Sequence, residues 1–122
     1  MAESTIYCIS KTDARWPNLL HELPIKAQPK QLYIKGELPP SDTLVVAVVG
    51  TRRPSNYGKD ATTEIVRALA RRRIVIASGM ALGIDSIAHK TALEENTPTI
   101  AILGCGLNPN VLAALCILKN TS

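Results

Sequence analysis

Aromatic side chains are almost missing from this 122-residue chain. Trp16, Tyr7, Tyr33 and Tyr57 are all it has, and there is no Phe. A sheet that stacks several bases on exposed rings needs more of them. Paired cysteines are missing too. Cys8, Cys105 and Cys116 form no CxxC, and neither His21 nor His89 sits near one of them. That spacing excludes a zinc site and a disulfide framework and predicts reduced, buried thiols. No long apolar run occurs: Leu44 to Val49 and Thr99 to Leu103 are too short to cross a bilayer. No basic segment followed by an apolar one opens the chain, so the expectation is a cytosolic protein with no membrane association. The phosphate-binding Gly-x-x-x-x-Gly-Lys-Ser/Thr loop, the dinucleotide-binding Gly-x-Gly-x-x-Gly turn and the Gly-x-Ser-x-Gly nucleophile elbow are all absent.

What is present is cationic and local. The net charge is +4, but residues 1–50 are neutral overall and residues 74–122 carry −1. The excess lies in residues 51–73, where Arg52, Arg53, Lys59, Arg67, Arg71, Arg72 and Arg73 outweigh Asp60 and Glu64. A concentrated excess points to a polyanion or phosphate partner, against the plain alternative of a solvated helix face. Arg71-Arg72-Arg73 closes a predicted helix, where cations favour the dipole.

Proline divides the chain. Pro17, Pro24, Pro29, Pro39 and Pro40 break residues 1–43 into an irregular arm, with a helical turn at Leu19–Leu23 and a strand at Gln31–Lys35. From Leu44 to the end (residues 44–122) the pattern is that of one α/β domain. Leu44–Val49 is apolar on both faces, which predicts a central strand of a parallel sheet covered on both sides. A helix follows at about Tyr57–Arg72, with Ala61, Ile65, Ala68 and Leu69 inward. Strand Ile74–Ala77, helix Ser86–Asn96 and strand Thr99–Leu103 complete the series. The order predicts right-handed crossovers in a Rossmann-like, three-layer αβα fold. The stretch Val111–Leu118 is apolar all round and must be buried, in its own core or in a partner through residues 109–118.

Each predicted strand runs into a loop of glycine and small polar residues, and in an open parallel sheet those loops gather where ligands bind. In the first, Gly50-Thr51-Arg52-Arg53-Pro54-Ser55, Gly50 permits a sharp turn. Ser55 or Asn56 caps the next helix, and Arg52, Arg53 and Lys59 add cations to its positive end. The second, Ser78-Gly79-Met80-Ala81-Leu82-Gly83-Ile84, leads to Asp85, a predicted N-cap four residues before His89. That spacing lets carboxylate and imidazole meet, as an acid/base pair or as a cap satisfying a packed His. The third is Gly104-Cys105-Gly106, open enough for phosphate or equally a close-packed turn.

Together, Val45 to Gly58, Ile76 to Asp85 with Ala88-His89, and Thr99 to Leu107 resemble the DprA/Smf family of DNA-processing proteins. Trp16-Pro17-Asn18-Leu19-Leu20 and Leu32-Tyr33-Ile34-Lys35-Gly36 fit the family's segment ahead of its Rossmann-like fold. The resemblance implies a non-catalytic recombination mediator of natural transformation. It binds single-stranded DNA without a cofactor or metal, loads RecA recombinase and tends to dimerise. The DNA grip falls on Arg52, with Thr51 where Ser is common, and the second motif on Ser78, Gly79, Gly83 and Asp85. After Leu107 the chain departs from the family, so the expectation is a partial domain. Two alternatives stand beside this: an interaction fragment, or a nucleotide-binding enzyme like the phosphoribohydrolases, whose Pro-Gly-Gly-x-Gly-Thr-x-x-Glu motif is absent.

Overall fold

The structure is a computed structural model and describes residues 6–103 and 114–119. The strands are β1 (Ile6–Ser10), β2 (Gln31–Lys35), β3 (Val45–Ala47), β4 (Val75–Ser78), β5 (Thr99–Leu103) and β6 (Ala114–Leu118). The helices are α1 (Asn56–Arg71) and α2 (Ile84–Glu94), and short 3-10 turns occupy Asn18–Glu22 and Ile25–Ala27. The described residues form one six-stranded sheet in the order β1-β2-β6-β5-β4-β3.

The expected βαβαβ unit is there: β3, β4 and β5 run parallel and adjacent. The sheet as a whole is mixed, because β6 runs antiparallel to β5 yet parallel to β2, and β1 folds back antiparallel on β2. The arm therefore contributes two strands to the same sheet. The apolar tail is consumed there too: Ala114–Leu118 is the strand joining the arm's half to the βαβαβ half. Residues 114–118 of that segment thus pair within the sheet; residues 109–113 lie outside the described residues.

Strand alternation sorts the core into two faces. Ile76 of β4 packs with Val66 and Ala70 of α1 and Ala88 and Ala92 of α2, which puts both helices on one face. Val75, Ala77 and Ile100 point to the other, continuing into Leu115 and Ile117. There Trp16, Leu20 and Leu38 of the arm cover Ile9, Leu32 and Ile34. The arm's turns thus pack over the arm's own strands, on the sheet face opposite the helices.

Two packing expectations are corrected. Strand β3 is an edge strand, not a covered central one: Leu44, Val45 and Val46 are exposed, because β4 is its only neighbour among the described residues. In α1 the buried stripe is Val66 and Ala70, while Ile65 is 58% exposed. Thiol burial is corrected as well. Cys8 lies exposed on an edge strand and Cys116 is half-buried, both free; Cys105 is outside the described residues.

Candidate nucleic-acid interface

Strand β3 hands over to the first loop where Val48 N donates to Ala77 O. A Cβ on Gly50 would fall 2.7 Å from Ile84 Cγ1, so only glycine lets this turn lie against the start of α2. Ile84 N donates to Thr51 O at 3.1 Å, and Arg53 N donates to Thr51 Oγ1 at 3.1 Å. Ser55 is the N-cap of α1, its Oγ accepting from Gly58 N at 3.1 Å. The loop backbone is thus tied down on both sides. Its cations are not: Arg52, Arg53 and Lys59 are exposed, and their side chains have no hydrogen-bond or ion-pair partner among the described residues. They stand at the end of α1 where unpaired amides and the dipole are positive.

The second loop packs directly against the first. Gly83 has φ +83, and a Cβ there would run into Thr51 O and the Arg52 carbonyl carbon. Gly79 is equally confined, with the place of its Cβ 2.7 Å from Asp85 Oδ2. Asp85 is not the N-cap of α2; Gly83 holds that position without a side-chain bond. Asp85 instead sits buried in the first turn and accepts from Ala81 N at 3.3 Å, bracing the loop. Nor does it meet His89. The imidazole reaches across to β5: Nε2 donates to Gly79 O at 2.7 Å, and Nδ1 is 2.8 Å from Thr99 Oγ1. A carbonyl can only accept, so Nε2 carries a proton. His89 is buried with both nitrogens engaged, which makes it a clamp between loop and sheet.

Ser78 also belongs to the scaffold. It is 2% exposed, and its Oγ donates to Val48 O at 2.6 Å, tying β4 to the end of β3. Of the expected phosphate-binding positions, Gly50, Thr51, Arg52, Arg53, Ser55 and Lys59 form one contiguous loop and helix start. Gly79 and Gly83 shape the neighbouring loop, and Gly104 and Gly106 lie outside the described residues. No cluster of metal-binding side chains occurs among the described residues.

The other cations of α1 are engaged. Arg67 Nη1 lies 2.6 Å from Glu95 Oε2 and its Nη2 lies 3.3 Å from Glu94, while Arg71 Nε reaches Glu95 Oε1 at 2.9 Å. Hydrogen bonds from Arg71 and then Arg67 hold the Glu95 carboxyl below its usual range, and Glu95 in turn raises Arg67. Arg73, with φ 61, points its Nη1 at Glu95 O, Asn96 O and Thr97 Oγ1, capping the carboxyl end of α2. Charge counting missed this arrangement, although the Glu94-Glu95 pair at the end of the second predicted helix was its visible signal.

The family model described as DNA recombination-mediator protein A matches residues 7–114. Protein Smf of Escherichia coli is 45% identical over 80 residues, covering 66% of this chain and 21% of its own length. Protein Smf of Synechocystis is 38% identical over 104 residues, covering 82% of this chain and 26% of its own. The chain thus spans about a quarter of the length of these relatives. The crystal structure of DNA processing protein A from Streptococcus pneumoniae superposes with a TM-score of 0.68 at 28% identity, covering 91% of this chain and 43% of that one.

Proposed function

The chain belongs to the DNA recombination-mediator protein A family, and on that footing we propose that it is a cytoplasmic, non-catalytic module that grips single-stranded DNA by its phosphates. One observation carries the reading. Among the described residues Arg52 and Arg53 have no side-chain partner, and they stand at the carboxyl ends of the parallel strands on a loop whose backbone is fixed from both sides. A guanidinium presents a rigid fork of donors to phosphate oxygens, and the amides opening α1 add neutral donors beside it. Lys59 supplies a third positive point. Ser78 serves from beneath, as a tie between strands, and Asp85 and His89 keep the second loop pressed against the first. In the longer relatives' context the module would contribute to handing the strand to RecA recombinase.

Titrating salt against the affinity for a fluorescent oligothymidylate tests the reading. With three phosphates neutralised, log K should fall against log salt with a slope near about −2, from roughly −0.7 per phosphate on single strands. Arg52→Ala should shallow that slope and weaken all sequences alike, since phosphate contacts carry no base information. A flat salt response would end the proposal. RecA loading is tested separately, by whether the chain speeds RecA filament formation on strand already coated with single-strand-binding protein.

A further inference from the structure

We infer that Tyr57 and Leu82 form an apolar shelf that holds an unstacked nucleobase next to the Arg52–Arg53 phosphate grip, an inference that rests on the DNA-binding reading above. Leu82 is 75% exposed and Tyr57 82%, with Met80 on the same loop at 59%. Their placement is specific. Leu82 directly precedes Gly83, whose backbone lies against Thr51 and Arg52. Tyr57 is the second residue of α1, two past the Ser55 cap that ends the cationic loop. Exposed apolar side chains therefore follow the cationic loop in sequence and lie on the loop packed against it, while its cations lack partners among the described residues.

The chemistry of that mixture selects its ligand. Inorganic phosphate or a bare polyanion uses the cations and leaves the shelf wet. A duplex offers phosphates but keeps the faces of its bases stacked inside. An unpaired strand offers a phosphate and a free π face in every nucleotide, which suits exposed guanidinium groups on a loop followed by a phenol ring and packed against a loop that carries an isobutyl group. Ring-to-base stacking tolerates any sequence, because every base has such a face.

The test compares two strands of equal length and charge, a thymidine 12-mer and a 12-mer of abasic phosphate spacers, titrated against the full chain at fixed salt. The thymidine strand should bind at least about tenfold tighter, in line with the worth of one stacked base. Tyr57→Ala combined with Leu82→Ala should bring the thymidine strand down to the abasic level and leave abasic binding unchanged. Tyr57→Phe should keep the preference. Both side chains are exposed, so an unchanged melting temperature is expected and serves as the folding check. Equal affinity of the natural chain for the two strands overturns the shelf while the phosphate grip stands. Equal loss on both strands in the double variant also overturns it. Failure of the natural chain to bind either strand overturns the underlying reading and the shelf with it.

Discussion

The two ends of α1 carry the same kind of charge to opposite effect. At its amino end Arg52, Arg53 and Lys59 face water without partners among the described residues. At its carboxyl end Arg67, Arg71 and Arg73 are occupied by Glu94, Glu95 and the Glu95 and Asn96 carbonyls just past α2. Composition reports one basic stretch; the fold divides six of its seven cations into a ligand-facing group and a structural one, and leaves Arg72, the C-cap of α1, exposed without a side-chain partner among the described residues. The helix dipole sharpens the division. Cations at the carboxyl end of a helix are at rest, whereas cations at the amino end stand against a positive pole until an anion arrives. Availability at the amino end of the helix, not number, is therefore what marks a binding cation.

Exchanging the damage between the two ends tests that division most strongly. Arg52→Ala with Arg53→Ala removes two charge-assisted contacts of about 1.5 kcal/mol each, roughly a hundredfold in oligonucleotide affinity at low salt. Its melting temperature should stay put, since neither side chain holds another described group. Arg67→Ala with Arg71→Ala should do the reverse, lowering the melting temperature and leaving affinity within about threefold after allowing for net charge. Should both pairs weaken binding equally, the site is a diffuse field and the comparison fails.

A smaller effect comes from the contact between the two loops. Gly83→Ala adds no charge and removes none, yet its Cβ meets the carbonyls of Thr51 and Arg52 at a left-handed φ. Strain of about 1–3 kcal/mol follows. The variant should melt lower and also bind DNA more weakly, because relief of the clash moves the backbone that carries Arg52. Thermal melting alongside the oligonucleotide titration reads both. Loss of stability with unchanged affinity would show that the grip does not depend on the neighbouring loop.

Local signals were legible in the sequence and long-range ones were not. Strand β5 has the bounds its apolar run predicts, and β4, α1 and the amino-terminal strand β2 fall within a residue of expectation. Strand β1 was invisible because Ile6–Ser10 becomes a strand through its pairing with Gln31–Lys35, across three prolines and two 3-10 turns. The tail's place between β2 and β5 is a fact of topology that no periodicity encodes. Strand β3 misled in the opposite way, since its two-sided apolar pattern describes a covering the described residues do not provide. At the site, the cationic loop and the Ser55 cap could be read from residue type alone. The Asp85–His89 pairing could not, because each side chain finds a better partner outside the helix they share: Ala81 N for one, Gly79 O and Thr99 for the other.

The gentlest probe of the two ends is pH. Glu95 is held below its usual carboxylate range by Arg71 first and Arg67 second, so its folded-state value lies under its unfolded one. A group shifted in that direction binds protons more readily when unfolded, and stability therefore rises with pH between the two values. The contribution is fully present above the unfolded value, near about 4.3, and disappears as pH falls through the folded one. Glu95→Gln keeps an oxygen facing the guanidinium groups but removes the charge. Its melting temperature should lie modestly below that of the natural chain at neutral pH, and the two curves should converge on acidification. Arg52→Ala should run parallel to the natural chain across the same range, because no described carboxylate pairs with Arg52. A constant gap for Glu95→Gln would mean that packing, not the ion pair, joins the carboxyl ends of α1 and α2. A pH-dependent gap for Arg52→Ala would mean that the loop arginine has an acidic partner and is not waiting for a phosphate.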